Sequence, residues 1–313
     1  MRNAFAEELT KLGQEDPRVV MLSGDIGNKL FDKFKAAQPD RFFNCGVAEQ
    51  NMMGVAAGLA MNGLRPVVYT ITPFVTTRCL EQIRTDVAYH DLPVTIVAVG
   101  AGLSYAGLGP THHACEDISF LRSIPSMCVI APGDRWEVQA ALRSSLSQDR
   151  PVYIRMGKKN EPVIHDGSIE TFEIGKVIVM AEGTDVCLLS TGNMLPEVMH
   201  AREALSEKGV SACVVSAHTV KPLDTVYLAD AFQRFTRVVT IEEHSVVGGF
   251  GSAVAEWAVD AEADSRKLLR IGAPDKFFKL SGEQEFARER LGLTGPAIAE
   301  RIVSSLMKQR TTS

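Results

Sequence analysis

A chain of 313 residues with 45% hydrophobic and 23% charged residues has the composition of an ordinary globular protein, which excludes a disordered segment and a protein that crosses a membrane repeatedly. Its formal charge of −5 comes without any basic run, so an extended nucleic-acid surface is excluded too. At about 100–200 residues per domain, the length predicts two domains.

The N-terminus, MRNAFAEELTKLGQEDP, mixes acidic residues with apolar ones where a signal peptide would have a basic stretch and an unbroken apolar core, so a cytoplasmic protein is expected. The six cysteines, Cys45, Cys79, Cys115, Cys128, Cys187 and Cys213, form no CxxC pair and have no zinc-like spacing. They read as reduced thiols.

From the N-terminus onward, short β-branched runs alternate with segments of helical period. The runs are VVMLSG from Val19, PVVYTI from Pro66, VTIVAVG from Val94, MCVIAP from Met127 and VYIRM from Val152. Such alternation predicts a mostly parallel sheet covered by helices on both faces. Asp134 with Glu137 three residues later reads as a helix-starting capping box, and Asn62-Gly63 ends a helix that begins near Glu49. The pattern loosens after Asn160, and a second alternating series begins with DVCLLST at Asp185 and continues through VSACVVS from Val210 and RVVTIEE from Arg237. The expectation is an α/β chain of two domains, 1–160 and 183–313, joined by a linker over 161–182.

The most specific stretch runs from Phe42 to Gly63, FFNCGVAEQNMMGVAAGLAMNG. Glu49 stands at a predicted helix start, where a negative charge suits the helix dipole. The helix that follows is so rich in Gly and Ala that a ring or another backbone can approach it closely. A second block, TPFVTTRCLEQIRTD, begins at Thr72, and a third, AGLSYAGLGPTHHACED, carries His112 in a Gly/Pro-rich loop after a predicted strand. Open α/β sheets bind ligands at such strand ends.

Together these blocks resemble the thiamine diphosphate-dependent superfamily of transketolases and deoxyxylulose phosphate synthases. The part resembled is the pyrimidine-binding domain, followed from Asp185 by that superfamily's C-terminal domain. The resemblance implies that Glu49 is the catalytic carboxyl, hydrogen-bonding the aminopyrimidine nitrogen and favouring the imino form that removes the thiazolium proton. It further implies that Phe74, Arg78 and Asp25 lie at the cofactor and that His112 and His113 contact substrate. Arg155, in VYIRMGKK, matches the arginine that grips a sugar phosphate, with Lys158 and Lys159 beside it.

The superfamily's GDG motif for Mg²⁺ (or Ca²⁺) and the diphosphate has no counterpart in SGDIGN, so no metal ligand is expected in this chain. The resemblance therefore implies a partner subunit carrying the diphosphate site and an α2β2 heterotetramer with the active site between chains. Two positions depart from the transketolase pattern: Leu108 stands where Asp is usual and Gly100 where His is usual. A site that loses such hydrogen-bonding groups changes its substrate preference. The function implied is transfer of a two-carbon ketol unit from a ketose, phosphorylated by the Arg155 match, to an aldose. Two other readings stay open: acyl or acyloin transfer from a 2-oxo acid, including a 2-oxo acid dehydrogenase beta subunit, and a non-catalytic assembly subunit.

Overall fold

The β-branched runs of the sequence become the interior strands of two sheets. A computed structural model of the chain describes residues 1–312 apart from Asn28, Lys159, Ser168 and Glu170, with side chains as far as Lys308. The strands are β1 (Val19–Ser23), β2 (Phe42–Asn44), β3 (Arg65–Ile71), β4 (Thr95–Val99), β5 (Cys128–Ile130), β6 (Val152–Met156), β7 (Ile178–Ala181), β8 (Val186–Ser190), β9 (Ala212–Ser216), β10 (Thr219–Lys221), β11 (Arg237–Ser245) and β12 (Leu268–Ala273). Every residue of β1, β4, β6, β8 and β9 is buried, as strands covered on both faces require.

The first sheet has seven strands in the order β10-β5-β6-β4-β3-β1-β2, and the second has five in the order β12-β11-β8-β9-β7. All neighbours are parallel except β10 against β5 and β7 against β9. Helix Arg2–Glu15 lays Phe5 and Leu9 on the first sheet beside Val138 and Leu142 of helix Arg135–Leu146. Asp134 caps that second helix, accepting from Trp136 N at 2.9 Å and Glu137 N at 3.1 Å, as the capping reading expects. The helix from Glu49 to Met61 ends at Asn62 with Gly63 at a φ of +83°.

Two boundaries differ from the sequence expectation. β7 lies inside the expected linker, because its backbone pairs antiparallel with β9 and extends the second sheet. β10 follows β9 in the chain yet joins the first sheet beside β5, so the two domains share a strand pairing. Further backbone bonds tie the domains together: Ala131 N donates to His218 O at 2.7 Å and Ser245 N to Cys115 O at 2.7 Å. Among the described residues no helix is long and apolar enough to cross a membrane.

Candidate active site

Parallel strands β1, β3 and β4 end side by side, and the segments leaving them carry most of the residues that the sequence singles out. β2 delivers the chain through Gly46, at a φ of +69°, into the helix whose first residue is Glu49. The Glu49 side chain is buried at 4% exposure, and its Oε2 accepts from Arg78 Nη1 at 2.7 Å. Arg78 in turn lays its guanidinium 4.2 Å above the Phe74 ring. Beyond Phe74 stands His112, ring centroids 5.2 Å apart and edge to face.

Glu49, Arg78, Phe74 and His112 thus form one continuous row of side chains, with a carboxylate at one end and an imidazole at the other. Gly24, at the end of β1, closes the floor: a Cβ there would stand 2.9 Å from Thr70 Oγ1 and 3.8 Å from Glu49 Oε1. Thr70 Oγ1 is itself buried without a hydrogen-bond partner. A flat, polar-edged ring suits this cradle: a carboxyl group for a ring nitrogen, an aromatic face to stack on, and a glycine that leaves room. The residues present therefore fit an aminopyrimidine.

His112 Nδ1 lies 2.9 Å from Thr111 Oγ1, and its ring meets Tyr105 at 6.1 Å. Partial burial, with a smaller effect from His113, holds His112 below the usual imidazole range, so that it is neutral at ordinary pH. Tyr105 also receives the Lys158 ammonium, 5.0 Å from its ring centroid. Lys159 lies outside the described residues.

Asp25 is exposed at the end of β1, where its Oδ1 accepts from Asn44 Nδ2 at 3.1 Å and its backbone N donates to Gly46 O. It helps to lock β1 against β2 at the rim of the site. His113 leaves the row: its Nε2 sits 3.1 Å from Ala106 O and its ring packs 6.2 Å from Phe278. It lines a separate 260 Å³ cavity with Cys115, Glu116 and Lys276, so its contacts lie apart from the row that ends in His112.

Arg155 requires a larger correction. It is 1% exposed, its Nε donates to Asp117 Oδ2 at 2.8 Å, and its Nη2 donates to Ala114 O and Glu243 O at 2.8 and 3.0 Å. Tyr153 adds its hydroxyl to Asp117 at 2.6 Å. With its charge paired to Asp117 and its Nε and Nη2 donating inside the protein, Arg155 is turned away from the row. Lys158 is one of the described cations beside the row, and Arg2 also reaches Tyr105.

Gly100 also takes on a structural meaning. Its φ is +93°, and a Cβ there would overlap the Tyr105 ring, so Tyr105 fills the room in which a side chain at position 100 would stand. Leu108 is 57% exposed and ends the helical turn Ala106–Leu108. Sequence reasoning missed Tyr105, for which the only signal is an aromatic five residues after a glycine. Among the described residues no group of three or more His, Cys, Asp or Glu side chains is arranged to hold a metal ion.

Comparison with known families matches residues 1–163 to the transketolase pyrimidine-binding domain and residues 175–298 to the transketolase C-terminal domain. The chain belongs to the transketolase family. Similar proteins include a putative transketolase C-terminal section from Methanocaldococcus jannaschii, 40% identical over 99% of this chain and 97% of the relative. Another is a 6-deoxy-6-sulfo-D-fructose transketolase subunit from Clostridium sp., 37% identical over 95% and 92%. A solved split gene transketolase, described as an inactive beta4 tetramer, superposes with a TM-score of 0.88 at 36% identity, covering 98% of this chain and 97% of that one. The chain also matches 1-deoxy-D-xylulose-5-phosphate synthases, of which it spans about half, 49% in the Microcystis aeruginosa relative.

Proposed function

We propose that this chain is one subunit of a split, thiamine diphosphate-dependent transketolase, transferring a two-carbon ketol unit from a ketose to an aldose. The observation that carries this reading is the row from Glu49 through Arg78 and Phe74 to His112 at the ends of parallel strands. The presence of all four groups in mutual contact argues against a scaffold that kept only the fold.

Glu49 would hold the aminopyrimidine by a hydrogen bond to its ring nitrogen, with Phe74 against its face. Bound there, thiamine diphosphate supplies the carbon nucleophile that attacks the ketone. The chain's own residues do the rest. Burial of Glu49 keeps water away from the carboxyl group that meets the ring nitrogen. Neutral His112 accepts the proton of the donor hydroxyl as the carbon bond beside it breaks and the aldehyde leaves, and gives it to the acceptor aldehyde's oxygen as the new carbon bond forms. Lys158 attracts an anionic substituent on the sugar, the role the sequence assigned to Arg155.

The metal and diphosphate belong, on this reading, to a companion subunit, with an α2β2 assembly and an active site between chains. The description of the related split gene chain as an inactive beta4 tetramer supports a need for that companion. A second reading, transfer from a 2-oxo acid, is favoured by the absence of a hydrogen-bonding side chain at Gly100 and Leu108.

Calorimetry tests the proposal. Thiamine diphosphate with Mg²⁺ is titrated into the chain alone and into the chain mixed with the subunit encoded beside it. Binding confined to the mixture, followed by turnover of ketose phosphates and not 2-oxo acids, is the expected outcome. Tight binding by the lone chain would overturn the split site.

A further inference from the structure

Glu243 lies in β11, in the second domain, and is fully buried. Its carboxylate gathers donors from both domains: Leu103 N at 2.7 Å, from the loop that carries His112, and Gln284 Nε2 at 2.8 Å and Arg288 Nε, from helix Gln284–Leu291. Asn193 Nδ2 stands 3.5 Å away. A buried carboxylate needs such a set to offset its lost hydration. Adjacent residues of a strand face opposite ways, and Glu242 spends its carboxylate elsewhere. It accepts from Phe250 N at 2.7 Å and Gly251 N at 2.8 Å, at the start of helix Phe250–Asp260.

The histidine loop has a neck. Gly102 N donates to Ala114 O at 3.0 Å and Ala114 N to Gly102 O at 2.8 Å, so residues 103–113 leave and return at one point. Leu103, the first residue beyond the neck, is the one held by Glu243. Gly102 has a φ of +58°, and a Cβ there would stand 2.5 Å from both Glu243 O and Glu243 Oε1. Loop and carboxylate are packed without spare room. On the other side of the neck, Arg155 Nη2 bridges Ala114 O and Glu243 O. Leu103 and Ala106 also pack on Ala287 of helix Gln284–Leu291.

We propose that Glu243 is a positioning residue for His112: by fixing the loop neck from the second domain, it sets where the imidazole stands against Phe74. The catalytic consequence rests on the reading of His112 given above, but the effect on the loop does not. Arg288 acts through Glu243, and Gln284 acts both through it and by its own bond to Ser104 Oγ at 3.3 Å, so one helix of the second domain bears on the reacting end of the first.

The test follows the His112 ring by NMR in the full chain, its signal identified by its loss in His112→Gln. Glu243→Ala should move the His112 titration upward, toward an ordinary imidazole, as the loosened loop gives up its packing. Glu242→Ala should lower the unfolding temperature through the lost helix cap while leaving the His112 titration in place. If Glu243→Ala does not fold, Gln284→Ala removes one donor from the same carboxylate and should give a smaller shift in the same direction. In the assembled enzyme the positioning variants should lose about 10–100-fold in kcat, the scale of a catalytic group misplaced by an ångström, with little change in donor KM. An unmoved His112 titration in folded Glu243→Ala or Gln284→Ala would overturn the proposal. A shifted titration alongside full activity of Glu49→Gln would support the positioning role and sink the transketolase reading instead.

Discussion

Arg78 and Glu49 meet at 2.7 Å with unequal exposure: the glutamate side chain is 5% accessible and the arginine 42%. The arginine can therefore turn to solvent when its partner is removed, whereas the carboxyl cannot be replaced from outside. Glu49→Gln should leave stability within about 1 kcal/mol of the parent, since a half-exposed pair contributes little. It should cost about 10²–10⁴ in kcat, the range for loss of a positioned proton-holding group. Denaturant titration and steady-state kinetics of the assembled enzyme measure the two quantities. Wild-type turnover by Glu49→Gln would leave the chain as an assembly subunit.

Variants of Arg155 and Lys158 test the fold and the proposed substrate contact separately. Arg155→Met strands Asp117, which is 2% exposed, and should destabilise the chain by about 3–5 kcal/mol. Lys158→Ala touches no buried pair. It should raise KM for a phosphorylated sugar by roughly 10–100-fold, as loss of one charged contact implies, with stability unchanged. If Lys158→Ala binds anionic and neutral donors equally to wild type, the cation serves no substrate.

Much of this arrangement is legible in sequence, and what is not has a physical reason. Glu49 stands out because a helix start and the Gly/Ala-rich helix after it are both local signals. Arg155 misleads because an arginine in a strand reads the same whether it meets a phosphate or an internal carboxylate; its partner Asp117 is 38 residues away. β10 is three residues long, and only tertiary pairing with β5 makes it a strand of the first sheet. Glu243 looks like its neighbour Glu242 until the loop from the other domain reaches it.

Gly100 and Tyr105 should behave as a coupled pair. Gly100→Ala brings a methyl into the Tyr105 ring and forces a positive φ on a residue with a side chain, two costs that together amount to about 2–5 kcal/mol. Tyr105→Ala alone leaves a cavity. In the double variant the overlap is gone and only the backbone strain and lost ring contacts remain, so the two changes should be non-additive by about 1–3 kcal/mol. A denaturation cycle measures the coupling. Strict additivity would mean that something other than the tyrosine ring bars a side chain at position 100.

His218 should make the protein acid-sensitive in a way one substitution reveals. Burial, with a smaller contribution from the charge on His165, pushes His218 down to about 3, and burial pushes His244 down to about 4. Each is neutral in the folded chain while the unfolded chain takes up a proton at the ordinary value of 6.5. Their contribution to stability is therefore full above that value and is lost as pH falls toward the folded one, by about 1.4 kcal/mol per pH unit for each. Glu137 and Glu242, raised by burial to about 7, tilt the other way: their contribution is full at low pH and is lost as pH rises through that value. The total slope is thus muted, and comparison with a variant isolates the histidine. His218→Phe keeps the stack on Phe172, now at 4.1 Å, and gives up the 2.9 Å contact with Thr219. It should be about 1 kcal/mol less stable than the parent at neutral pH. Below the unfolded pKa it should gain on the parent by about 1.4 kcal/mol per unit, becoming the more stable of the two by about pH 5. Equilibrium denaturation at closely spaced pH values measures the gap. A gap that stays constant would mean that His218 takes up its proton inside the folded chain.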